Sequence, residues 1–588
     1  MAEKGQAARF SKVCRISDRH VLRIDGQEFE KLPVVSGWEE FEDMGNDTFD
    51  VAIVGYGPVG KGLALMLSRR GYSVFIVERW DEPYPFPRAV CMDHEIRRVM
   101  NSLGLGDELA KVSAPSPRYQ WFGAQGQMLL DIDWTVESVS GGPEAYFFHQ
   151  PSLEAIMDRE VRRVSDVQIN SGWEMIDFNQ DGDGIKLRIR QRVNPEQTKT
   201  ISAKFLIGAD GANSQVREQS GIEWQDLGFQ ADWLVVDVLP NEGVELRVPE
   251  AGQSCKPSRP TTFVPGGIEN GRRHRRWEFM RLPSETMEEL QQPEKVWSLL
   301  SPWVGPHEAQ LIRHAVYTFR SRVAANWRNG RVLLVGDAAH LMPPFMGQGM
   351  CSGLRDAWNL TWRLDLVLSR KADAAILDSY SEERKDHVTE VINLSVQLGK
   401  IICVADEAEA AARDQIFLSG LAPPPPKFPD LKTGLLYQPR GYLSPLAGQL
   451  CVHGQVSAKS TSGPYDAIVG AGFSIIGWEH NPREKLPQEM VDQLEGLGAN
   501  FVAVHAQRPA SASSKALEDV TGKYEAFFRS SGLSSLVARP DFYLYGVARD
   551  ATCLRDILQQ LLRDLGVHKA SGVALRRDAP SPARDRAI

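Results

Sequence analysis

The chain has 588 residues, 42% hydrophobic and 24% charged, with a net charge of −9 at pH 7 and a pI near 5.8. This is the composition of a globular protein of about three domains at ~150 residues each, and the acidic balance argues against a nucleic-acid binder. Seven cysteines without a C-x-x-C pair fit neither a disulfide framework nor a zinc site, and with no apolar leader and no run of ~18–20 apolar residues the expectation is a cytoplasmic protein without a membrane span.

Residues 1–47 are polar and of mixed charge and read as an extension. At 50–79, DVAIVGYGPVGKGLALMLSRRGYSVFIVER opens with an apolar strand at Val51–Val54. Gly55, Gly57 and Gly60 follow as G-x-G-x-x-G, with Pro58 and Val59 inside the turn. A helix over Leu63–Arg70 is closed by Gly71, and a second strand, Val74–Val77, ends at Glu78 beside Arg79. Glycines here let the backbone approach a pyrophosphate at a helix N-terminus. An acid at the end of the second strand can accept both hydroxyls of an adenosine ribose. A lone glycine motif is weak, but strand, helix and acid together make a strong signal.

Pro83, Pro85 and Pro87 lead through an extended loop to Arg88, which reads either as a phosphate partner or as a surface arginine. A helix over Asp93–Leu103 opens on Asp93-His94-Glu95, and an acidic helix start is favoured by the dipole whatever else it does. Alternating strands over 118–133 suggest a sheet-bearing region interleaved with the first domain. A helix at 149–164 opens on Gln150-Pro151-Ser152, and strands follow at Val167–Ile169 and Ile185–Arg190. KFLIGADGANSQVR, 204–217, is a strand running into Asp210-Gly211 and a helix start. Residues 225–320 are rich in Trp, Phe and β-branched side chains. The basic run at 272–276 reads as a solvated edge, or as an attractor of an anionic substrate or of nicotinamide phosphates.

The most informative stretch is RVLLVGDAAHLMPPFMGQGMCSGLR, 331–355. It runs from an apolar strand at Val332–Val335 through Gly336-Asp337, Pro343-Pro344 and Gly347-Gln348-Gly349-Met350 into a helix at 352–369. A long amphipathic helix follows at 378–400. LAPPPPKFPD, 421–430, has five prolines in ten residues and marks a linker. A last domain carries strands near Ala467–Ile476, Phe501–Val504 and Phe542–Val547, with a helix over Cys553–Leu565. The tail reads as disordered.

The three motifs in this order, G-x-G-x-x-G with Glu78, then GADG, then GDAAH with PP and GQG, resemble the class A FAD-dependent aromatic hydroxylases, the group of para-hydroxybenzoate and phenol hydroxylases. RAVCMDHEIRRV, RRWEF and GDAAHLMPPFMGQGMCSGLRDAWNL followed by DSYSEERKDH are most similar to meta-hydroxyphenylpropionate hydroxylase-like proteins. The resemblance implies a Rossmann-like α/β FAD-binding domain at 48–400, interleaved with a substrate-covering sheet at about 118–133 and 225–320. It further implies a helix end and linker at 401–434, a thioredoxin-like α/β domain at 435–575 without a dithiol, and a tail at 576–588.

It also implies site roles. Gly55, Gly57, Pro58, Val59 and Gly60 would face the FAD pyrophosphate, and Glu78 with Arg79 the adenosine ribose. Arg88 and Gln150 would serve the phosphate and ribityl region, Asp210 both FAD and NAD(P)H, and Gly336 and Asp337 the ribityl chain. Pro344 and the turn Gly347, Gln348, Gly349, Met350 would lie against the isoalloxazine ring. Cys351 stands where the family usually has Asn or a small residue, and Val90 where phenol hydroxylase has its acid. Asp93 and His94 are then the nearby candidates for polarising the phenol, with the helix cap as the competing reading. The implied chemistry is reduction of FAD by NADH or NADPH, capture of O2 as a C4a-hydroperoxide and hydroxylation of a small phenolic compound by a homodimer without metal. Baeyer–Villiger oxygenation and a non-catalytic flavin scaffold are the alternatives. The W-x-W-x-I-P motif of flavin halogenases is absent.

Overall fold

Three apolar strands that are far apart in the chain lie side by side and point the same way. Phe49–Val54 pairs in parallel with Thr198–Gly208, where Ile207 stands opposite Ile53. Val332–Leu334 pairs in parallel with the same strand, where Ile207 stands opposite Leu333. The register therefore brings the turns at Gly55, Ala209-Asp210 and Gly336-Asp337 to one edge of one sheet. Val51–Val54 and Val332–Leu334 are buried, as runs covered on both faces of a parallel sheet must be. Val74–Glu78 and Val167–Ser171 extend the sheet in parallel on the far side of Phe49–Val54.

The computed structural model describes residues 48–567 apart from 183, 460 and 508–515, together with an antiparallel pair of short strands, Arg23–Ile24 and Gln27–Glu28. The rest of the 1–47 extension and the 576–588 tail lie outside the described residues. From Asp47 onward the chain forms one compact unit.

Helices Pro58–Ser68, Gln150–Arg162 and Gly349–Leu368 pack with the parallel sheet through one apolar core that includes Leu63, Met157 and Leu354. A second sheet of eight strands is built mainly from Trp224–Pro240, Thr261–Glu269, Arg272–Met280 and Ala309–Ala324, with Arg118–Phe122 and Met128–Asp133 at one side. Its two faces differ, as alternation along each strand requires. Leu234, Val236, Phe263, Trp277 and Phe279 point to one face and pack on Val296 and Leu300 of the helix Pro293–Leu300. The other face looks toward the motif turns.

Residues 448–564 build a seven-stranded sheet. Ser474–Trp478 lies parallel to Asn500–His505 and antiparallel to Ser535–Ala538, which pairs antiparallel with Leu544–Ala548. The helix Ala551–Asp564 closes the segment. This strand order and alternation of direction are of the thioredoxin-like kind.

Three local expectations are corrected. Residues 467–469 end a helix, Tyr465–Val469, and the strand begins only at Ser474, because Gly470 and Gly472 take positive φ between them. Trp173–Gln180 is a strand that the pattern hides, since a bulge between Met175 and Asp177 breaks its alternation. Glu407–Leu418 is a helix inside the expected linker, capped by Asp406. The proline run at 421–430 has no regular structure.

Candidate functional site

Gly55 and Gly57 hold the first turn for different reasons. Gly55 has φ +104°, and a Cβ there would run into the carbonyl of Ala209 and lie 2.9 Å from Asp210 Cα. It locks the first motif against the second. Gly57 has ordinary extended backbone, and a Cβ on it would meet nothing within 4 Å. No protein contact therefore requires glycine at 57. The open space lies at the N-terminus of a helix with no side-chain cap, where unsatisfied backbone N–H groups favour a phosphate. Pro58 starts that helix, and Val59 packs against Gly336 of the third motif, where a Cβ would approach Val59 Cγ2 to 3.2 Å. The buried Lys61 donates to the Tyr56 carbonyl at 2.7 Å and pairs with Glu154 at 2.7 Å.

Glu78 Oε2 accepts from Tyr56 N at 2.8 Å and Oε1 from Trp80 N at 2.9 Å. Two backbone amides thus aim the carboxylate across the mouth of the turn, and each oxygen keeps a lone pair for a ribose hydroxyl. Arg79 is exposed and lies over the Trp80 ring.

Gln150 is buried, and its side chain is turned to the protein. Its Oε1 accepts from Arg88 N at 2.8 Å and Ala89 N at 2.5 Å, and its Nε2 donates to Glu154 at 2.7 Å. It shapes the 88–89 loop and has one Nε2 hydrogen beyond these bonds. Arg276 and Arg313 hold the same loop from the second sheet, both at the Pro87 carbonyl and Arg276 also at the Arg88 carbonyl. The Arg88 guanidinium itself is exposed, over the Tyr84 ring.

The Asp210 carboxylate accepts from Ser214 Oγ at 2.5 Å, Gln215 N at 2.7 Å and Val216 N at 3.2 Å. It anchors the start of the helix Gln215–Gln219, so its part in any ligand site is through the backbone it shapes. Asp337 differs. Its side chain is open to solvent and accepts no hydrogen bond from the described residues, yet it sits deep among surrounding protein atoms. Burial raises its carboxyl from the ordinary value, against the opposing pull of His340 and Arg88. Its turn is fixed from below by the fully buried Asp356, which accepts from Gly336 N at 3.0 Å, His340 Nε2 at 2.7 Å and Arg384 Nε at 2.9 Å.

Pro344 opens a short 3-10 turn ending at Gly347. Phe345 is pinned edge-on to Trp233 at 5.6 Å and to Phe229 at 5.8 Å. Gly347 lies over Cys91, where a Cβ would come to 3.2 Å. The 20-residue helix beginning at Gly349 has no side-chain cap, because Gln348 is diverted to accept from Arg355 Nη1 at 2.8 Å. The backbone N–H groups of Gly349 and Met350 thus form a positive helix end, suited to a developing negative charge. Cys351 is buried, and burial holds its thiol well above the usual range.

Asp93 and His94 take structural roles. Asp93 caps the helix His94–Ser102 through Ile96 N at 3.0 Å and pairs with Arg355, which also binds Glu95 at 2.6 Å. Burial alone would raise the Asp93 carboxyl, but Arg355 and His94 hold it down. His94 turns its ring to Ser140 Oγ at 3.0 Å and Glu144 at 3.5 Å. Asp93 is thus engaged as the helix cap and by Arg355, and His94 by Ser140 and Glu144.

The basic run at 272–276 divides. Arg272 and Arg273 are exposed, while Arg275 donates to the Glu250 and Pro249 carbonyls and Arg276 is held by Asp237 at 2.7 Å. Arg275 and Arg276 thus spend their terminal nitrogens on protein oxygens, while Arg275 Nε and His274 Nδ1 are buried without a hydrogen-bond partner among the described residues. One face of the second sheet carries three neighbouring rows of paired residues. The first is Arg313, Asp237, Arg276 and Val264, and the second Val235, Glu278, Thr262, Gln253 and Trp121. The third includes Tyr317, Trp233 and Met280. On this face Thr262 donates to Gln253 Oε1 at 2.8 Å, and Gln253 Nε2 donates to the Tyr119 hydroxyl at 2.7 Å. Residues this polar on an inward face are invisible in sequence, where each reads as an ordinary strand position.

A profile of the family described as FAD binding domain matches residues 48–395, and one described as HcaD C-terminal domain matches 448–564. A probable NADH-specific resorcinol 4-hydroxylase of Rhodococcus jostii (strain RHA1) is 34% identical over 539 residues, 90% of this chain and 97% of that protein. A 3-(3-hydroxy-phenyl)propionate/3-hydroxycinnamic acid hydroxylase of Escherichia coli (strain K12) is 32% identical over 521 residues, 86% and 92% of the two chains. Among solved structures, the flavin-dependent monooxygenase PieE in complex with FAD and substrate shares the fold with a TM-score of 0.72 at 19% identity, covering 89% of this chain and 99% of that one. Aklavinone-11 hydroxylase with FAD and aklavinone does so with 0.69 at 21%, covering 88% and 100%.

Proposed function

We propose a substrate and a reductant for this chain from the premise that it belongs to the class A FAD-dependent aromatic hydroxylases: the ring is a neutral phenol with a second hydroxyl in the meta position, and the electrons come from NADH. The chain is a flavin-dependent monooxygenase that uses a reduced nicotinamide and O2 to hydroxylate a phenolic compound. The Rhodococcus relative is named for resorcinol and NADH, and the Escherichia relative for a phenol bearing a meta side chain that ends in a carboxylate. The choice between a neutral and an anionic ring rests on one observation. On the sheet face that looks toward the motif turns, Arg276 and Arg313 are turned to Asp237 and to loop carbonyls, while the Glu278 carboxylate accepts no hydrogen bond from the described residues. A substrate carboxylate would meet the Glu278 carboxylate there, and the Arg276 and Arg313 guanidinium groups on that face already bind Asp237 and loop carbonyls, so like-charge repulsion at low dielectric disfavours it.

FAD, when bound, supplies the passage of electrons from nicotinamide to O2 and the delivery of one oxygen atom to the ring. In this reading the turn at Gly55–Gly60 takes the pyrophosphate and Glu78 the adenosine ribose. Asp337, the one carboxylate of the three motifs without a donor among the described residues, takes the ribityl hydroxyls. The amides at Gly349 and Met350 stabilise negative charge on the reduced ring. The second sheet covers the reacting ring and excludes water. A reducing, cytoplasmic setting also belongs to this reading, since the six cysteines among the described residues are all free.

The test is NADH consumption by the purified FAD-loaded protein with resorcinol, 3-(3-hydroxyphenyl)propionate and hydroxybenzoates, with product masses. Resorcinol is expected to give the highest kcat/KM and a product heavier by one oxygen. A preference for the carboxylated rings overturns the choice of substrate, and a preference for NADPH overturns that of reductant.

A further inference from the structure

We propose that Glu278 is the catalytic base that takes the proton of the substrate's phenolic hydroxyl, with the Tyr119 hydroxyl as the hydrogen-bond donor beside it. The proposal rests on the reading of this chain as a hydroxylase of a neutral phenol.

Glu278 is 8% exposed and stands at the centre of an eight-stranded sheet. A carboxylate so placed is normally paired, since an uncompensated buried charge is costly. Asp237, one row away on the same face, shows the normal case, with both oxygens on the Arg276 guanidinium. Glu278 accepts no hydrogen bond from the described residues, and its ion-pair contact is Arg276 Nη1 at a long 3.9 Å. Arg276 is already committed to Asp237 and to the carbonyls of Pro87 and Arg88.

Its position is fixed from several sides. One row along the face, about 7 Å away, Arg276 grips the 87–88 loop. One row the other way, Trp233 meets Phe345, the residue after Pro344. Across the sheet Thr262 and Gln253 lead to Tyr119, which lies within electrostatic reach of Glu278, Cys91 and Cys255. Cys91 in turn lies under Gly347. Glu278 therefore points into the space between the sheet and the turn expected against the flavin ring. Tyr119 accepts from Gln253, so its own proton is free to donate.

The charged and titratable groups that act on Glu278 are Arg276, Asp237 and Arg313 on its own sheet, with Tyr119 from the strand Arg118–Phe122. Burial pushes the Glu278 carboxyl above its ordinary value, Arg276 and Arg313 oppose this, and Asp237 adds to it. A base of raised pKa is better matched to a phenol than an ordinary carboxylate.

In the step, the phenol O–H bond breaks and its proton bonds to a Glu278 carboxylate oxygen. The electron pair stays on the phenolate and raises the nucleophilicity of the ring carbons ortho and para to it. A C–O bond forms at one of them as the O–O bond of the two-electron-reduced dioxygen breaks, the second oxygen leaving as water, and the ring carbon loses its hydrogen as a proton when aromaticity returns. Glu278 gives its proton back before the next turnover. Overall, phenol, O2, NADH and one proton become the hydroxylated phenol, NAD+ and water.

The experiment compares full-length, FAD-loaded wild type with E278Q and E278D. A folded-state carboxyl raised above its unfolded value loses stability as pH rises through the folded value, so neutralising it removes that penalty. E278Q is therefore expected to keep FAD and to melt no lower than wild type at neutral pH. With resorcinol its kcat is expected to fall at least a hundredfold, within the ~10²–10⁴ range of a lost general base, and the acid limb of the kcat/KM profile is expected to vanish. E278D is expected to recover part of kcat and to keep that limb. As a readout apart from turnover, the fluorine NMR signal of bound 3-fluorophenol is expected to shift toward its phenolate position in wild type and not in E278Q. Equal kcat, an unchanged acid limb or an unchanged fluorine shift in E278Q overturns the proposal. If E278Q fails to fold, E278D decides: an unchanged kcat overturns, and a lowered kcat with the acid limb kept supports. Should wild type hydroxylate no neutral phenol, the functional reading falls, which is a different result from E278Q working as well as wild type.

Discussion

Gly55 and Gly57 stand two positions apart and answer to different forces, and this separates fold from ligand. G55A places a Cβ at φ +104° against the Ala209 carbonyl, so it is expected to lower the Tm with or without FAD, at a cost of about 1–2 kcal/mol for the left-handed backbone alone. G57A meets no protein atom. It is expected to leave the melting of the apoprotein unchanged and to raise the Kd for FAD at least tenfold, which is ~1.4 kcal/mol. Calorimetry of the apoprotein and FAD titration check both, and an unchanged FAD affinity in G57A would remove the pyrophosphate from that turn. Both glycines are plain in the sequence, but their division of labour is not, because a motif records only that glycine is needed. Asp93 illustrates the reverse. Its acidic helix start reads either as cap or as catalyst, and the structure shows the cap, with Ile96 N on the carboxylate and Arg355 paired to it.

Between elements, the helix Asp378–Ile402 is the hub that ties the flavin-binding region to the last sheet. Its Glu383 is fully buried and receives Arg539 at 2.6 Å, Arg363 at 3.2 Å and Asn359 at 2.6 Å. Asp541 completes the network on Arg539, Asn359 and the Trp362 indole. Burial alone would raise the Glu383 carboxyl, but Arg539 and Arg363 outweigh it and hold it at about 2. A depressed carboxyl contributes stability that is present above its unfolded value and lost as pH falls from there through the folded value. The window is therefore from the ordinary carboxylate range down to about 2, and the contribution is on the order of 3 kcal/mol. E383Q is expected to unfold more readily at pH 7, since it leaves two buried guanidinium groups underpaired, and to show a flatter loss of stability between pH 5 and 2. Urea titrations across that range measure it. The amphipathic period of this helix is legible in the sequence. Its burying of a charge network is not, because Glu383 has the spacing of an ordinary polar face.

Over the full chain, the segment matched to the HcaD C-terminal domain shares its apolar core with the flavin-binding region. Trp362, Leu366 and Ile376 lie in one cluster with Phe473, Ile475, Leu494 and Leu561. Arg98 reaches across to Asp466 at 2.6 Å, and Tyr543 to Glu95 at 2.9 Å. Removing residues 435–588 would uncover that apolar surface and strip Glu383 of Arg539. The truncated chain is expected to aggregate or to lose FAD, as gel filtration with flavin absorbance would show; a soluble, FAD-loaded truncation would refute the shared core. The proline run at 421–430 suggests a linker between independent bodies, and the contacts instead join both sides of it.

The family, the α/β class, the flavin and the three motif turns were written in short local patterns, because a glycine turn, an acid after a strand and a capped helix are each specified by neighbours a few residues apart. Hence Gly55–Gly60 and Glu78 could be proposed as ligand contacts from residues alone, and Asp337 through the family resemblance. The convergence of those turns, the diversion of Gln150 and Asp210 to shaping backbone, and the burial of Arg276 required the fold, since each depends on a partner far away in the chain. Glu278 is the sharpest case. In sequence it is one letter of a basic, alternating strand. Only strand register sets it on the inward face, and the commitment of Arg276 to Asp237 leaves its carboxylate with a long ion-pair contact and no hydrogen bond from the described residues.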